Sequence, residues 1–395
     1  MFGRGAGVHY NPELETGQSP EQSASGNGFP LPNTFLEGTT TRPRILFTCA
    51  REAEYVRDLL VRRALRRHFD VVEVTDTRRG SLLLRHMRLL PKLALALRGS
   101  YDLLFVGFYG HLLVNLLSRW TNKPIVFDAY LSTWDTLCFD RQTFKPLSAP
   151  GRLAFWLDQQ SCLRARHSLL DTEAHTRYFS DTFGVPASKL SAYYVGYDEE
   201  QFKPAPVGRA GDRFVVFYYA SFVPLQGVEH IVRAAKLLET EADIDFHIIG
   251  WGMTYDRTRQ LAEELRLQRL VFHPPVSYTQ LPHAISEASV CLGGPFGSSG
   301  KASRVIAGKT FQFLAMAKPT IVGDSPANRE VFRHGDDVWM CRMADGHALA
   351  SAILELKRDR GLRERIARRG FEHCRDEFSM ERQSERLRKI ILSLP

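Results

Sequence analysis

The sequence predicts an α/β protein built from two doubly wound, Rossmann-like parallel-sheet domains that face each other across a cleft. Three observations support this fold class. Short apolar strands alternate with helical segments twice along the chain, an arrangement typical of parallel α/β sheets. A stretch containing Pro, Gly and Ala, residues 196–211, separates the two series and is predicted to be an interdomain linker. The length of 395 residues is enough for two or three domains of about 150 residues each.

An N-terminal arm precedes the first series of strands. Residues 1–42 contain seven glycines and four prolines among polar residues, with little periodic apolar pattern, so we expect this arm to be disordered. The first domain is predicted over residues 43–195. Its strands are expected in four apolar runs that alternate with helical patterns: 45–48, 71–74, 103–107 and 124–128.

The second series forms a domain predicted over residues 212–375. Its strands are expected to begin near residues 214, 246, 271, 290 and 320, with helices between them. A helical tail follows, and we expect residues 376–395 to cross back to the first domain. Ligands of doubly wound sheets bind beyond the carboxyl ends of the strands, so the active site is predicted in the cleft between the domains.

The charge balance favours an acidic partner. Lys and Arg number 52 against 44 Asp and Glu, giving a net charge of +8. Residues 51–99 alone hold 12 basic and 6 acidic side chains among many leucines. Such a helix can lie on an anionic membrane surface, although a solvated helix face is the alternative. Nucleic acid is the rival partner, but no helix-turn-helix, zinc finger or RNP-type strand is visible in the sequence.

Other features indicate a cytoplasmic protein, with peripheral attachment at the inner face of the membrane as a further expectation. The N-terminus lacks the apolar region of a secretory signal. The most apolar run, Leu103–Leu117, is shorter than the roughly 20 residues that span a bilayer. Six scattered cysteines form no CxxC or Cys/His metal spacing, which is typical of reduced thiols.

A glycine-rich segment is the strongest candidate for binding phosphate. Residues 293–301, GGPFGSSGK, follow an apolar strand and include Gly297, Ser298 and Lys301. Four glycines allow close approach of the backbone to a ligand, and Arg304 and Lys309 lie just beyond. The segment is not a P-loop, because Ser303 stands where the first glycine should be. A flexible surface loop with solvated charges is the alternative.

A second candidate loop lies earlier in the same domain. Residues 220–227 join the strand that begins near 214 to the following helix and include Ser221 and Gln226. The serine or the local amides could hold phosphate. An ordinary turn between strand and helix explains the spacing equally well.

These segments carry a family resemblance. The stretches FYYASFVPLQGVEHIVRAAKLL, FHIIGWG, QLPHA and SVCLGGPFGSSGKASRVIAGKTFQFLAMAKPTIVGDSPANREVF together resemble the nucleotide-sugar-binding domain of family-4 retaining, group 1 glycosyltransferases with the GT-B fold. More loosely, PIVFDAYLSTWDT, DTEAHTRYF and GYDEEQFKP resemble the acceptor domain and hinge of that family. The resemblance spans roughly residues 43–390 and is strongest over 214–333.

The resemblance implies a set of donor-binding residues, with departures from the family pattern. The family's Lys-x-x-Glu corresponds to Lys309 and Gln312, and its earlier glutamate corresponds to Arg304. Ser221 and Gln226 stand near the family's two diphosphate-clamping cations. We therefore hypothesise that Lys301 and Arg304 replace these two cations electrostatically. The predicted donor-binding residues are Ser221, Gln226, Gly297, Ser298, Lys301, Arg304, Lys309, Gln312 and Glu330.

Candidate catalytic residues lie in the first domain. His111 follows the third predicted strand and Asp128 ends the fourth, and either could orient the acceptor hydroxyl or take its proton. A helix cap or a packing residue is the alternative for His111. For Glu330, expected to contact the donor sugar, the alternative is a plain acid in the first turn of a helix.

The reaction that the resemblance implies is metal-independent, retaining transfer of a sugar from a nucleotide-diphosphate sugar. The acceptor is expected to be a glycan or lipid-linked acceptor of cell-surface polysaccharide or glycoconjugate synthesis, and no cofactor is expected beyond the donor. Asp243 and Asp245 form the only Asp-x-Asp, but they precede a strand, so polar residues at the start of a strand explain them better than a metal site. A non-catalytic GT-B partner protein and a nucleotide-sugar epimerase on the same fold are the alternative functions.

Overall fold

The first sheet belongs to the N-terminal half of the chain. The computed structural model describes residues 42–50, 55–76, 78, 82–204 and 213–394. The first six strands are β1 Arg44–Thr48, β2 Asp70–Val74, β3 Leu103–Val106, β4 Ile125–Tyr130, β5 His167–Leu170 and β6 Leu190–Ala192. They form a parallel sheet in the order β2-β1-β3-β4-β5-β6. The predicted disordered arm lies outside the described residues, apart from Arg42.

The second sheet repeats this architecture. Its strands are β7 Phe214–Ser221, β8 Ile244–Trp251, β9 Leu270–His273, β10 Val290–Leu292, β11 Thr320–Gly323 and β12 Trp339–Cys341. All of its strand pairs are parallel, in the order β12-β11-β10-β7-β8-β9. The predicted α/β class with two doubly wound sheets is therefore confirmed. The linker predicted at 196–211 is described only as far as residue 204.

Helices cover the sheets. Those of the first half are α1 Val56–His68, α2 Leu82–Ala96, α3 His111–Leu117, α4 Ala149–Arg164 and α5 Glu173–Phe183. Those of the second half are α6 Val228–Leu237, α7 Tyr255–Glu264, α8 Leu281–Ser286, α9 Gly300–Arg304, α10 Gly308–Ala315, α11 Pro326–Val331, α12 Gly346–Arg358, α13 Arg360–Phe378 and α14 Met380–Leu392. A π-helical turn, Asp135–Asp140, follows β4. Sequence reasoning did not predict this turn or the short helix α9.

The central strands are apolar on both faces because helices cover both sides of each sheet. Every residue of β3, with sequence LLFV, is buried, and so is every residue of β10, with sequence VCL. Continuous apolar runs are typical of parallel strands buried on both faces. The C-terminal helix α14 contacts α1, so the end of the chain lies against the first sheet's helices. Within the described part of the chain, no helix is both long and apolar enough to cross a membrane.

A buried ion pair joins α1 to β4. The guanidinium of Arg57 donates to both carboxylate oxygens of Asp128, each at 2.8 Å, and to the carbonyl of Tyr193 at 2.6 Å. Its Cζ atom lies 4.8 Å from the ring centre of Tyr130 and 4.9 Å from that of Tyr193. Both charged side chains are inaccessible to solvent. This arrangement contradicts the catalytic role predicted for Asp128, because its oxygens are already paired and shielded from any substrate.

Much of the basic charge counted in residues 51–99 is also paired. Five arginines of this segment form ion pairs with carboxylates: Arg57 with Asp128, Arg62 and Arg66 with Glu73, Arg63 with Asp198, and Arg88 with Asp76. Fewer cations are therefore available to an anionic surface than the sequence count indicates.

Candidate active site

Two loops predicted separately as phosphate-binding candidates lie against each other in the structure. The amide of Phe296 donates to the carbonyl of Gln226 at 3.2 Å, and the amide of Gly297 donates to that of Leu225 at 3.0 Å. A Cβ atom on Gly227 would lie 2.4 Å from the nitrogen of Gly297, and Gly227 has a φ of +62°. Glycine is therefore required at 227 for the loops to approach this closely. Ser221 and Ser298 are exposed at the ends of this pair of loops.

Lys309, in the first turn of α10, lies beneath the loop of residues 220–227. Its Nζ donates to Gln226 Oε1 at 2.6 Å, and the hydroxyl of Tyr218 donates to the same oxygen at 2.8 Å. The Nζ atom also lies 4.6 Å from the centre of the Tyr218 ring. Burial without a carboxylate partner lowers the pKa of Lys309 to about 7. The structure therefore brings the predicted residues Gln226 and Lys309 together. Because the pKa of Lys309 lies near 7, a nearby charge can change its protonation state.

Gln312 lies one turn further along α10. Its side-chain oxygen accepts a hydrogen bond from the hydroxyl of Tyr219, on the neighbouring strand β7. The side chain of Gln312 is buried. Its amide is thus already engaged within the protein in this structure.

The helix α9 carries two predicted donor-binding cations to the π-helical turn of the first domain. Lys301 Nζ donates to Thr136 Oγ1 at 2.6 Å, and Arg304 Nη2 donates to Asp135 Oδ2 at 2.6 Å. The guanidinium of Arg304 also lies 4.0 Å from the ring centre of Tyr178. Lys301 is 3% exposed, and burial lowers its pKa. Both cations are therefore held between the domains, not on a solvated loop.

The carboxylate of Glu330 lies at the start of α5, whereas the sequence predicted that it would contact the donor sugar. Its two carboxylate oxygens accept from the amides of Glu173 at 2.8 Å and Ala174 at 2.5 Å, at the start of α5. Tyr194 and Arg177 also contact this carboxylate. Carboxylates are stabilised at helix N-termini by free amides and the helix dipole. Glu330 thus caps a helix of the first domain, and this corrects the predicted role in sugar binding.

His111, at the start of α3, forms a pair with a buried carboxylate. Its Nε2 lies 3.2 Å from Asp158 Oδ1. Asp158 accepts from Ser132 Oγ at 2.6 Å and from the amide of Trp134 at 2.8 Å, so these two donors hold its side chain in place. Nε2 lies near this carboxylate without forming a hydrogen bond of good geometry, and Nδ1 makes no hydrogen bond to any described residue. A histidine beside a carboxylate at the edge of a cavity can act as a general base or orient a hydroxyl group.

A cavity of about 460 Å³ adjoins His111. First-domain residues line all of it except for Lys301 from α9: His86, Phe108, Tyr109, His111, Leu112, Leu131, Ser132, Thr133, Thr136, Leu137, Arg141 and Leu157. A second cavity of about 680 Å³ lies between the domains, with Asp140, Arg141 and Gln142 on one side and Pro224, Arg233 and Arg257 among the residues on the other. Arg141 lines both cavities.

The structure identifies several site residues that the sequence analysis did not predict. Asp135, Thr136 and Arg141 contact or line the space around α9, and Asp158 orients His111. The one signal for them was the segment PIVFDAYLSTWDT, whose last two residues are Asp135 and Thr136. Nothing in the local pattern indicated that Asp158, inside a helix, would face His111.

Comparisons with known proteins identify the fold, and a family that matches part of the chain. Residues 227–389 match a protein family described as glycosyl transferase-like. The chain is similar in structure to HepE from Anabaena, solved with UDP and glucose, at a TM-score of 0.69 and 16% identity over 89% of this chain and 100% of that one. The chain has the GT-B fold, and its residues 227–389 are similar to glycosyl transferases.

Two further proteins are similar to this chain, one over most of its length and one over about half. Sucrose-phosphate synthase from Thermosynechococcus elongatus has a TM-score of 0.70 at 14% identity, over 89% of this chain and 98% of that one. The lipopolysaccharide core biosynthesis glycosyltransferase LpsD of Rhizobium meliloti (strain 1021) is 29% identical over 186 residues. That alignment covers 45% of this chain and 50% of LpsD, so the GT-B homologue matches about half the length of this curated relative.

The depressed pKa of Lys309 predicts a pH-dependent stability. The folded protein releases the Lys309 proton near pH 7, whereas the unfolded chain keeps it to about pH 10.4. The unfolded state then binds more protons between these values, so stability rises with pH in this window. We expect the free energy of unfolding of the parent, relative to Lys309→Met, to increase by ~2 kcal/mol from pH 7.5 to 9.5 in urea titrations. A difference that is constant over this range would contradict the assignment.

Proposed function

We propose that this GT-B homologue transfers a sugar from a nucleotide-diphosphate sugar to a glycan or lipid-linked acceptor in cell-surface polysaccharide or glycoconjugate synthesis. The observation that carries the proposal is the meeting of α9 with the π-helical turn, which holds Lys301 and Arg304 between the two domains. HepE, which shares the fold, was solved with UDP-glucose. LpsD, which shares sequence with part of the chain, is a lipopolysaccharide core glycosyltransferase.

The donor diphosphate is proposed to bind where the two glycine-containing loops and α9 converge. Amides of residues 293–299 and the cations Lys301 and Arg304 would stabilise the charge that develops on the leaving diphosphate. Lys309 lies behind the loop 222–227 and would gain a proton when an anion approaches, because a nearby negative charge raises the pKa of an amine. His111 is the proposed acceptor-side base or orienting group, held by Asp158.

Transfer is proposed to be retaining, of the family-4 type, and independent of metal or other cofactors. Support comes from the family-4 resemblance of residues 214–333 and from the cations that can take the place of a metal at the diphosphate. The one Asp-x-Asp has other partners, since Asp243 pairs with Lys357 and Asp245 pairs with Arg213.

The reaction is tested with a panel of UDP-, GDP- and ADP-sugars and the glycolipid fraction of a membrane extract as acceptor. We expect release of nucleoside diphosphate from one donor and a product whose anomeric configuration, read by proton NMR, equals that of the donor. Activity should persist in EDTA. An inverted product would contradict the retaining assignment, and loss of activity in EDTA would contradict metal independence.

A non-catalytic GT-B partner protein is the second candidate function. The observation that favours it is the replacement of both family glutamates, by Arg304, which is ion-paired, and by Gln312, which is hydrogen-bonded to Tyr219. This candidate predicts nucleotide binding with no product from any donor in the same panel. Conversion of the donor to an epimer without any acceptor would instead identify an epimerase.

The first domain is proposed to meet an anionic membrane at the cytoplasmic face through residues 51–99. Support comes from α2, where Met87 is 65% and Leu95 is 70% exposed beside the exposed cation Lys92. We expect the double variant Met87→Ser/Leu95→Ser to co-sediment several-fold less with vesicles of phosphatidylglycerol and phosphatidylcholine. The control is Val271→Ser, at an exposed apolar position of β9 in the second domain. Equal sedimentation of both variants with the parent would contradict this proposal.

The cation pair on α9 predicts a specific loss of donor affinity. Lys301→Ala and Arg304→Ala should each weaken nucleoside diphosphate binding about tenfold or more, measured by ligand-induced thermal shift, because each removes a charge-assisted contact to phosphate. Lys236→Ala, at an exposed position of α6, is the surface control. Thr136→Val removes the hydroxyl that accepts from Lys301 and donates to the carbonyl of Ser132, but it leaves both cations in place and should have a small effect. Unchanged affinity in both alanine variants would contradict the replacement of the family's clamp by these cations.

A further inference from the structure

The 460 Å³ cavity of the first domain is mainly apolar. Its volume lies in the range of about 300–1,000 Å³ typical of small-molecule sites. Six of its lining residues present apolar or aromatic surface: Phe108, Tyr109, Leu112, Leu131, Leu137 and Leu157. A sugar presents hydroxyl groups that lose free energy when buried without hydrogen-bond partners. This lining is therefore better suited to an aliphatic or aromatic group than to a glycan alone.

Two cations, Arg141 and Lys301, lie at one end of the cavity. The guanidinium of Arg141 makes no ion pair or side-chain hydrogen bond with any described residue, and its Nε is buried without a partner. Lys301 lies at the same end, hydrogen-bonded only to Thr136 among the described residues. The nearby carboxylate of Asp140 acts on both cations, and Asp135 and Asp171 also act on Lys301. Asp135 is itself paired with Arg304 and Asp171 with His175, so Arg141 is the cation of this end without an ion pair among the described residues.

The remaining titratable groups of the lining are two histidines. His86 and His111 line the cavity, and His111 faces Asp158. No Asp or Glu is among the lining residues of this cavity within the described part of the chain. The guanidinium of Arg141 has no ion pair of its own, so an anionic group of a ligand would form charge-assisted hydrogen bonds at this end.

The cavity reaches from the cleft between the domains to the protein surface. Arg141 also lines the 680 Å³ cavity between the domains, so the cationic end lies beside the cleft. Leu112 lines the cavity and is 37% exposed, so an apolar side chain stands at the protein surface. His86, another lining residue, precedes the exposed Met87 on α2. A ligand with an anionic group and an apolar chain can therefore span from the cleft to this surface.

We propose that the cavity binds an amphiphilic acceptor, with its apolar chain among the leucines and a single phosphate or carboxylate group held by Arg141 at the cleft. The inference rests on the proposed function, because it names the class of acceptor. Binding of such an amphiphile needs no donor, so it can be measured separately from nucleotide binding.

The test is isothermal titration of the full-length protein with n-octyl phosphate and with octanoate, each below its critical micelle concentration. Inorganic phosphate probes the anionic group alone, and n-octyl glucoside probes the chain with an uncharged head. We expect at least one octyl anion to bind about tenfold more tightly than both of these ligands. The comparison of the two octyl anions identifies the head group. Octyl glucoside binding as tightly as both octyl anions, or inorganic phosphate binding as tightly as octyl phosphate and octanoate, would overturn the proposal.

Two variants assign the binding to this cavity. Arg141→Gln should weaken the octyl anion about tenfold or more, and Leu112→Ser, at a partly exposed position, should weaken it several-fold. The matched controls Arg152→Gln and Leu153→Ser, exposed positions of α4 outside the lining, should bind as the parent does. Parent-like affinity in both cavity variants would overturn the assignment. Octyl anion binding without any nucleotide binding would leave the cavity assignment intact and contradict the proposed transferase function.

Discussion

The contact between α9 and the π-helical turn Asp135–Asp140 determines where the cations Lys301 and Arg304 lie between the two domains. Lys301 reaches Thr136, and Arg304 lies between Asp135 and the ring of Tyr178. Burying Lys301 and partly burying Arg304 at one short helix carries a desolvation cost, which the hydroxyl and carboxylate of the turn offset in part. The turn therefore fixes where positive charge lies in the cleft, and with it the region proposed to hold the donor diphosphate.

The other parts of the site are arranged around this contact. The glycine-requiring approach of residues 222–227 to residues 293–299 leads directly into α9, so the loop that precedes Lys301 is held by backbone hydrogen bonds. Glu330 caps α5 across the interface, and Thr172 at the same helix end donates to the carbonyl of Arg304. Helices α9 and α11 thus both contact the first domain. The cavity of the first domain receives Lys301 from the same helix, which places the proposed donor and acceptor regions on either side of α9.

Local patterns in the sequence were enough to predict most of the described strands and the glycine-rich loops, but strands such as β6 and β12 were not predicted. Continuous apolar runs such as LLFV indicate strands buried on both faces, and Gly227 and Gly297 stand where two backbones approach closely. Lys309 could also be placed at the start of a helix under the candidate donor site. These predictions depend on neighbours in the chain, which a sequence pattern records.

The misplaced residues depend on partners far away in the chain. Asp128 ends a strand at the expected edge of the sheet, but Arg57, 71 residues earlier, pairs with it and buries it. Glu330 has its partners 156 and 157 residues away, at the start of α5. Asp158 lies inside a helix and gives no local sign that it orients His111. A carboxylate has the same local pattern whether it faces a ligand or a buried arginine, so sequence reasoning could not separate these roles.

The coupling between Arg304 and Asp135 tests the central claim most directly. A double-mutant cycle measures the affinity for the best-bound of UDP, GDP and ADP in the parent, Arg304→Ala, Asp135→Asn and the double variant. If Asp135 acts on the donor by holding Arg304, its substitution should matter only while Arg304 is present, with a coupling energy of at least ~1 kcal/mol. Effects that add within ~0.5 kcal/mol, or no binding of any nucleoside diphosphate to the parent, would contradict the claim.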